Sequence, residues 1–131
     1  MIVLDASVAV TGLLVSGPAG DAARDVLRTE PLHAPHLLDV EVTSAIRRWV
    51  LFGRLSVEDA RMSLRDLRDL AADRHAHEPL LDRALDLRDA VSAYDAVYVA
   101  LAELLGARLV TADQRLARAP GIRCPVTLLT A

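Results

Sequence analysis

Five carboxylates stand where solvation alone does not account for them. Asp5 directly follows the apolar run from Ile2 to Leu4, and Asp113 follows "LVT" within "RLVTADQRL". Asp95 opens "SAYDAVYVALAE", in which Ala96 to Ala102 are all apolar or aromatic. A carboxylate entering so apolar a helix is costly unless something pairs with its charge. In "PHLLDVEVTSAIRRWV", Asp39 and Glu41 lie about 160° apart at roughly 100° per residue, so one of them faces a given site and the helical wheel does not choose which. Asp5, Asp95 and Asp113 each also have a plain local reading as helix caps. Gathered carboxylates repel, and some take up protons unless a cation joins them. Oxygen ligands suit Mg²⁺ or Mn²⁺, which a few carboxylates commonly hold together with water and substrate phosphate. The chemistry that follows is phosphoryl chemistry.

The elements that must position these acids are legible as alternating periods. Short apolar runs at Ile2 to Leu4, Leu32 to Ala34, Leu109 to Val110 and Val126 to Leu129 read as buried strands, with a further weak strand near His75 to His77. Helical patterns cover Asp21 to Arg28, Leu37 to Leu51, Val57 to Ala72, Leu80 to Asp89 and Ala93 to Leu105. Strands alternating with helices predict an α/β fold with a parallel sheet covered on both faces. Ligands of such sheets sit beyond the carboxyl ends of the strands, where Asp5 and Asp113 fall. Ser56 with Asp59, and Ser92 with Asp95, have capping-box spacing, and Gly53 and Gly106 punctuate helix ends. "SGPAG" at 16–20 reads as a loop inside one domain spanning 1–131.

Composition narrows the function classes. No stretch approaches the roughly 18 apolar residues of a membrane span, and "MIVLDASVAV" lacks the basic front of a secretory signal, which predicts a soluble cytoplasmic protein. Cys124 is the only cysteine, which excludes an internal disulfide and a thiolate zinc cluster and leaves a semi-buried thiol as its reading. All 15 basic residues are Arg, against 18 acids and a net charge of -3, so any attraction to phosphate must be local. Arg47 and Arg48, close to Glu41, are the candidate phosphate contacts. Arg61, Arg65 and Arg68 share one helix face and read as a solvated surface, with RNA backbone or partner contact as the sharper alternative. Leu38, Val42, Ala45, Ile46 and Trp49 form an apolar stripe. Glu103 stands about 12 Å along the helix from Asp95, too far to share an ion with it, and reads as a surface or inter-helix acid. His75 and His77 would share a sheet face but are not expected to bind metal, and His33 and His36 read as loop residues. The aromatics Trp49, Phe52, Tyr94 and Tyr98 fall on helices and read as core or interface rather than base-stacking platforms.

"VLDASV", "PHLLDVEV", "SAYDAVYVALAE" and "LVTADQRL" together resemble the four acidic motifs of PIN domains, and their order and wording are most similar to VapC-type ribonuclease toxins. The similarity runs from Met1 to about Val126. It implies a three-layer α/β/α sandwich on a five-stranded parallel sheet, and an acidic site of Asp5, Glu41, Asp95 and Asp113 with Thr111 as a polar neighbour. Asp5, Asp95 and Asp113 would be metal ligands, and Glu41 a ligand or the group that orients water. The resemblance thereby selects Glu41 over Asp39. Gln114, after Asp113, is neutral, so a fifth acid is absent there. Also implied are a Mg²⁺- or Mn²⁺-dependent endoribonuclease, a homodimer, and a cognate VapB-type antitoxin that covers the site and docks near the helix pair from Leu37 to Ala72. Two rivals remain at this level. A phosphoacceptor signalling domain would want a Lys, which the chain lacks, and a PIN-like module that binds RNA or protein without cutting would keep the fold but not need four intact acids.

Overall fold

The computed structural model describes residues 1–130. Its sheet begins with β1, Ile2–Leu4, three side chains with no exposed surface, followed immediately by α1, Ala6–Leu14. After α2 (Pro18–Thr29), β2 (Leu32–Pro35), α3 (Leu37–Leu51) and α4 (Val57–Asp69), the chain reaches β3, Ala72–His75. A 3₁₀ turn at Glu78–Leu80 leads into α5 (Leu81–Asp86), α6 (Ala93–Leu105), β4 (Arg108–Thr111), α7 (Gln114–Ala117) and β5 (Val126–Leu128). All four strand pairings are parallel, in the order β3-β2-β1-β4-β5. Helices α1 to α4 pack on one another over one face, while α5 and α6 pack together on the other. Because a parallel sheet is covered on both sides, its central strands are apolar throughout rather than alternating. The chain leaves β1 towards β2 and returns to β4 on the opposite flank, so the reversal of strand order falls between β1 and β4.

Two helix starts follow the sequence directly. The Ser56 and Ser92 hydroxyls accept from the backbone N–H of Asp59 and Asp95 at 3.0 and 3.2 Å, satisfying donors that a helix start otherwise leaves unpaired. Gly53 and Gly106 take positive φ at the ends of α3 and α6, as expected of C-terminal caps. Helix α6 is buried continuously from Ala96 to Ala102 and runs through the core against β1, β2 and β4.

Several boundaries differ from the sequence expectation. Three of the five residues of "SGPAG" are helical, since α2 starts at Pro18, where a first-turn proline loses no hydrogen bond. The pattern from Val57 breaks at Asp69, and β3 occupies Ala72–His75 rather than His75 to His77. Pairing to β2, Leu32 opposite Ala72 and Pro35 opposite His75, overrides the polar, weakly strand-like "ADRH". The helix expected over Leu80 to Asp89 ends at Asp86 and continues as turns. His33 is inside β2, not in a loop.

Helices α1 and α2 meet more closely than side chains would allow. A Cβ on Gly20 would stand 1.8 Å from the Val15 carbonyl oxygen, which itself accepts from Arg24 Nη1 at 3.0 Å. Gly20→Ala is therefore expected to destabilise the protein by about 2 kcal/mol or more, although alanine ordinarily gains about 1 kcal/mol over glycine inside a helix. Urea midpoints for the two proteins check this, and a variant as stable as the parent would contradict the close contact.

Candidate active site

The reversal of strand order leaves a crevice beyond the carboxyl ends of β1 and β4, and the side chains that follow those strands fill it. Asp5 comes directly after β1, with its backbone N–H donating to the Val110 carbonyl of β4 at 2.9 Å. It holds the N-cap position of α1, yet its carboxylate makes no capping bond. Oδ2 instead accepts from Ser7 Oγ at 2.6 Å and from Thr111 Oγ1 at 2.9 Å, leaving Oδ1 uncommitted by these bonds. Ser7 Oγ in turn accepts from the Ala112 N–H, and Thr111 Oγ1 from the Asp113 N–H. Two hydroxyls thus lock the end of β1 to the end of β4 and fix the Asp5 rotamer.

Three more acids face the same open cavity of about 690 Å³: Glu41 from α3, Asp95 from the first turn of α6, and Asp113 at the start of α7. Glu41 is held by the Tyr98 hydroxyl, which donates to Oε1 at 2.6 Å from a ring with no exposed surface. Asp39 points elsewhere and forms a two-pronged pair with Arg74, at 3.2 and 3.0 Å. The choice left open by the helical wheel is therefore resolved by packing. Asp113 does cap, accepting from the Arg115 N–H at 2.9 Å, and lines the cavity as well. Asp95 receives the Ser92 cap through its backbone, so its side chain is free of that task.

The electrostatics follow from this crowding. Burial pushes the Asp95 carboxyl from 3.8 up to about 6, with further upward pressure from the charges of Asp5, Glu41 and Asp113 and partial relief from Arg115. Burial also raises Glu41, partly offset by the Tyr98 hydrogen bond and reinforced by Asp5. The Tyr98 phenol is raised by burial and by donating to Glu41. Such a set lacks positive charge at its centre, and its donors are all oxygen, which suits a hard divalent cation and no softer one. Among the described residues no three His, Cys, Asp or Glu side chains are already drawn into a closed ligand set. An open carboxylate cluster matches ions that keep several waters.

Other sequence candidates separate cleanly. Arg48 borders the cavity, whereas Arg47 lies on a different strip of α3 beside Val40 and Thr43. Arg61, Arg65 and Arg68 are exposed along α4 and do not line the acidic cavity. Glu103 pairs with Arg83 at 2.7 Å as an inter-helix acid, and the Cys124 thiol is half-buried. Trp49 is half-buried, but Phe52 and Tyr94 are largely exposed. Sequence reasoning missed Ser7, the phenol of Tyr98 and Arg115, which also borders the cavity. Ser7 stands two residues after Asp5 in the quoted motif, a spacing that could have flagged it. Nothing local ties Tyr98 to Glu41, since 57 residues separate them.

Comparison with known proteins places the chain by sequence and by fold. The PIN domain family model matches residues 2–122. Ribonuclease VapC9 of Mycobacterium tuberculosis is 44% identical over 129 residues, covering 98% of both chains. Among solved structures, Mycobacterium tuberculosis VapC20, a toxin that cleaves the sarcin-ricin loop, superposes with a TM-score of 0.72 at 14% identity, covering 94% of this chain and 97% of that one. VapBC2 from Rickettsia felis, bound to a fragment of promoter DNA, gives 0.70 at 12%, covering 99% of this chain and 100% of that one. These two likenesses concern the fold, a five-stranded parallel sheet between helical layers. With the family model over most of its length and a relative of this identity end to end, the chain belongs to the PIN-domain family, in its VapC group.

Proposed function

We propose that the protein, a single domain over 1–131, is an endoribonuclease toxin that hydrolyses RNA phosphodiester bonds at the acidic cavity. The observation that carries this reading is the convergence of Asp5, Glu41, Asp95 and Asp113 on one crevice, with Asp95 pushed to about 6 by burial and by the other three charges. The 44% identity to a protein named a ribonuclease supports the same substrate class.

Asp5, Asp95 and Asp113 would hold Mg²⁺ or Mn²⁺, with Thr111 and Ser7 fixing Asp5. Bound there, the cation would supply positive charge against the phosphate oxygens and lower the pKa of a water beside it. Glu41, anchored at Oε1 by Tyr98, keeps Oε2 for orienting the attacking water and accepting its proton. As the water oxygen adds to phosphorus in line, the bond to the bridging oxygen breaks. Arg48 and Arg115, on the cavity rim, meet the phosphates on either side of that bond. Such contacts read phosphate rather than sequence.

The cognate partner is a VapB-type antitoxin that lays an apolar segment along α3 and α4, where Val40, Leu51, Phe52, Val57 and Met62 are exposed, and places an Arg among the acids. A second copy covers the other helical layer, where Leu81, Leu85, Tyr94 and Leu104 are exposed. No helix among the described residues is long and apolar enough to cross a membrane, in keeping with action in the cytoplasm. The test is cleavage of a structured RNA by purified protein with Mn²⁺, with Mg²⁺ and with chelator. Cleavage that needs the cation and returns when it is restored is expected. RNA binding with no cation-dependent cleavage would overturn the enzymatic reading.

A further inference from the structure

Of the four histidines of the chain, His36, His75 and His77 lie at the carboxyl ends of β2 and β3, and His33 lies within β2, two residues before its end. They do not form the pair that "HAH" suggests. His77 lies beyond β3, and its Nε2 accepts the Leu37 N–H at 2.8 Å, which commits it to the start of α3. His75 faces His33 instead, across the strand boundary. Nε2 of His75 and Nδ1 of His33 are 2.9 Å apart, with ring centroids at 5.2 Å. Asp73, directly opposite His33 in register and two residues before His75, shares their side of the sheet, and its Oδ2 is 3.8 Å from the same Nδ1. Arg74 points to the other face, towards Asp39 and α4, so no cation of the chain fills the gap from that residue.

We propose that His33, His75 and Asp73 form a second cation site, separate from the carboxylate cavity, for one divalent transition ion of the Zn²⁺ or Ni²⁺ class. Two ring nitrogens at hydrogen-bond distance hold one proton between them, and an ion that replaced it would sit to one side of the line joining them, with both rings tilted so that their lone pairs converge on it. Nitrogens bound to a tetrahedral ion at roughly 2.0–2.1 Å stand about 3.3 Å apart, so the pair must open by only a few tenths of an ångström. No three His, Cys, Asp or Glu side chains among the described residues are arranged to hold a metal ion as they stand, so the site requires Asp73 to rotate inward, which its 80% exposure permits. Imidazole selects borderline ions, whereas the all-oxygen cavity selects hard ones, so the two sites discriminate by donor chemistry. β3 is an edge strand two strand spacings from β1, roughly 10 Å, so an ion here is set apart from Asp5 at the end of β1 and pins the edge of the sheet.

The test is calorimetric titration of the full chain with ZnCl₂ in excess Mg²⁺, on the parent protein and on His33→Gln, His75→Gln, Asp73→Asn and Asp5→Asn. One equivalent is expected to bind the parent and Asp5→Asn alike, to weaken at least tenfold in either histidine variant, and to weaken several-fold in Asp73→Asn. Imidazole resonances of the parent protein provide a reading independent of how the variants fold, with zinc expected to shift His33 and His75 and to leave His36 and His77 in place. Zinc binding that survives both histidine substitutions, is lost in Asp5→Asn, or moves no His33 or His75 resonance would overturn the proposal.

Discussion

Asp5→Asn is expected to lower cation-dependent RNA cleavage by roughly a thousandfold or more while the fold persists. Asparagine keeps the shape of the side chain and an oxygen that can still accept from Ser7 and Thr111, so the bolt between β1 and β4 need not open. What disappears is a charge at the back of the cavity, the ligand most deeply buried among the four acids. Cleavage at the parental rate by a folded Asp5→Asn protein, measured with Mn²⁺ in excess, would remove Asp5 from the chemistry. The substitution has a second reading in the same molecule. Asp5 is the first of the charges pushing Asp95 upward, so the Asp95 carboxyl should titrate lower in the variant, as followed by carboxyl carbon resonances. Loss of activity with that downward movement locates Asp5 beside Asp95. Loss of activity without it would indicate damage elsewhere.

The parts of this arrangement that sequence makes legible are those set by local rules. β1 is a run of three wholly buried residues ended by an acid, and α6 is a helix too apolar to face water, so both were readable from pattern alone. β3 was displaced because "ADRH" carries no apolar period, and only pairing with β2 tells the chain where the strand lies. The same holds for α2, whose first turn from Pro18 lies ahead of the periodic signal that begins at Asp21. At the site, Asp5 and Asp113 were found by their position after strands. Glu41 could be preferred to Asp39 only through resemblance, because the deciding contacts, Tyr98 for one and Arg74 for the other, come from distant segments. Ser7 and Arg115 acquire meaning only once the ends of β1 and β4 are side by side.

Asp95→Asn is expected to stabilise the cation-free protein at pH 7.5 by about 2 kcal/mol, the reverse of what removing a native contact usually does. The folded carboxyl titrates near 6 against 3.8 for the ordinary group, so the folded state binds its proton more tightly than the unfolded chain does. Below about pH 3 the group is protonated in both states and contributes nothing. As pH rises through the window from about 4 to 6 the unfolded chain gives up the proton first, and stability falls to a lower plateau above pH 6 to 7. The full shift corresponds to about 3 kcal/mol, which partial solvent screening brings nearer 2. Asparagine stays neutral throughout, and the Ser92 cap, which engages only the backbone N–H of residue 95, is retained. The two proteins should therefore be equally stable near pH 3 and diverge above it, as read from urea midpoints in chelator. Adding Mg²⁺ or Mn²⁺ at pH 7.5 should reverse their order, because a cation at a hundred times its Kd adds about 2.7 kcal/mol to the protein that binds it and little to the one that has lost a ligand. An Asp95→Asn protein no more stable than its parent at pH 7.5 without cation would mean that the four acids do not strain one another, and the argument for a cation among them would fail with it.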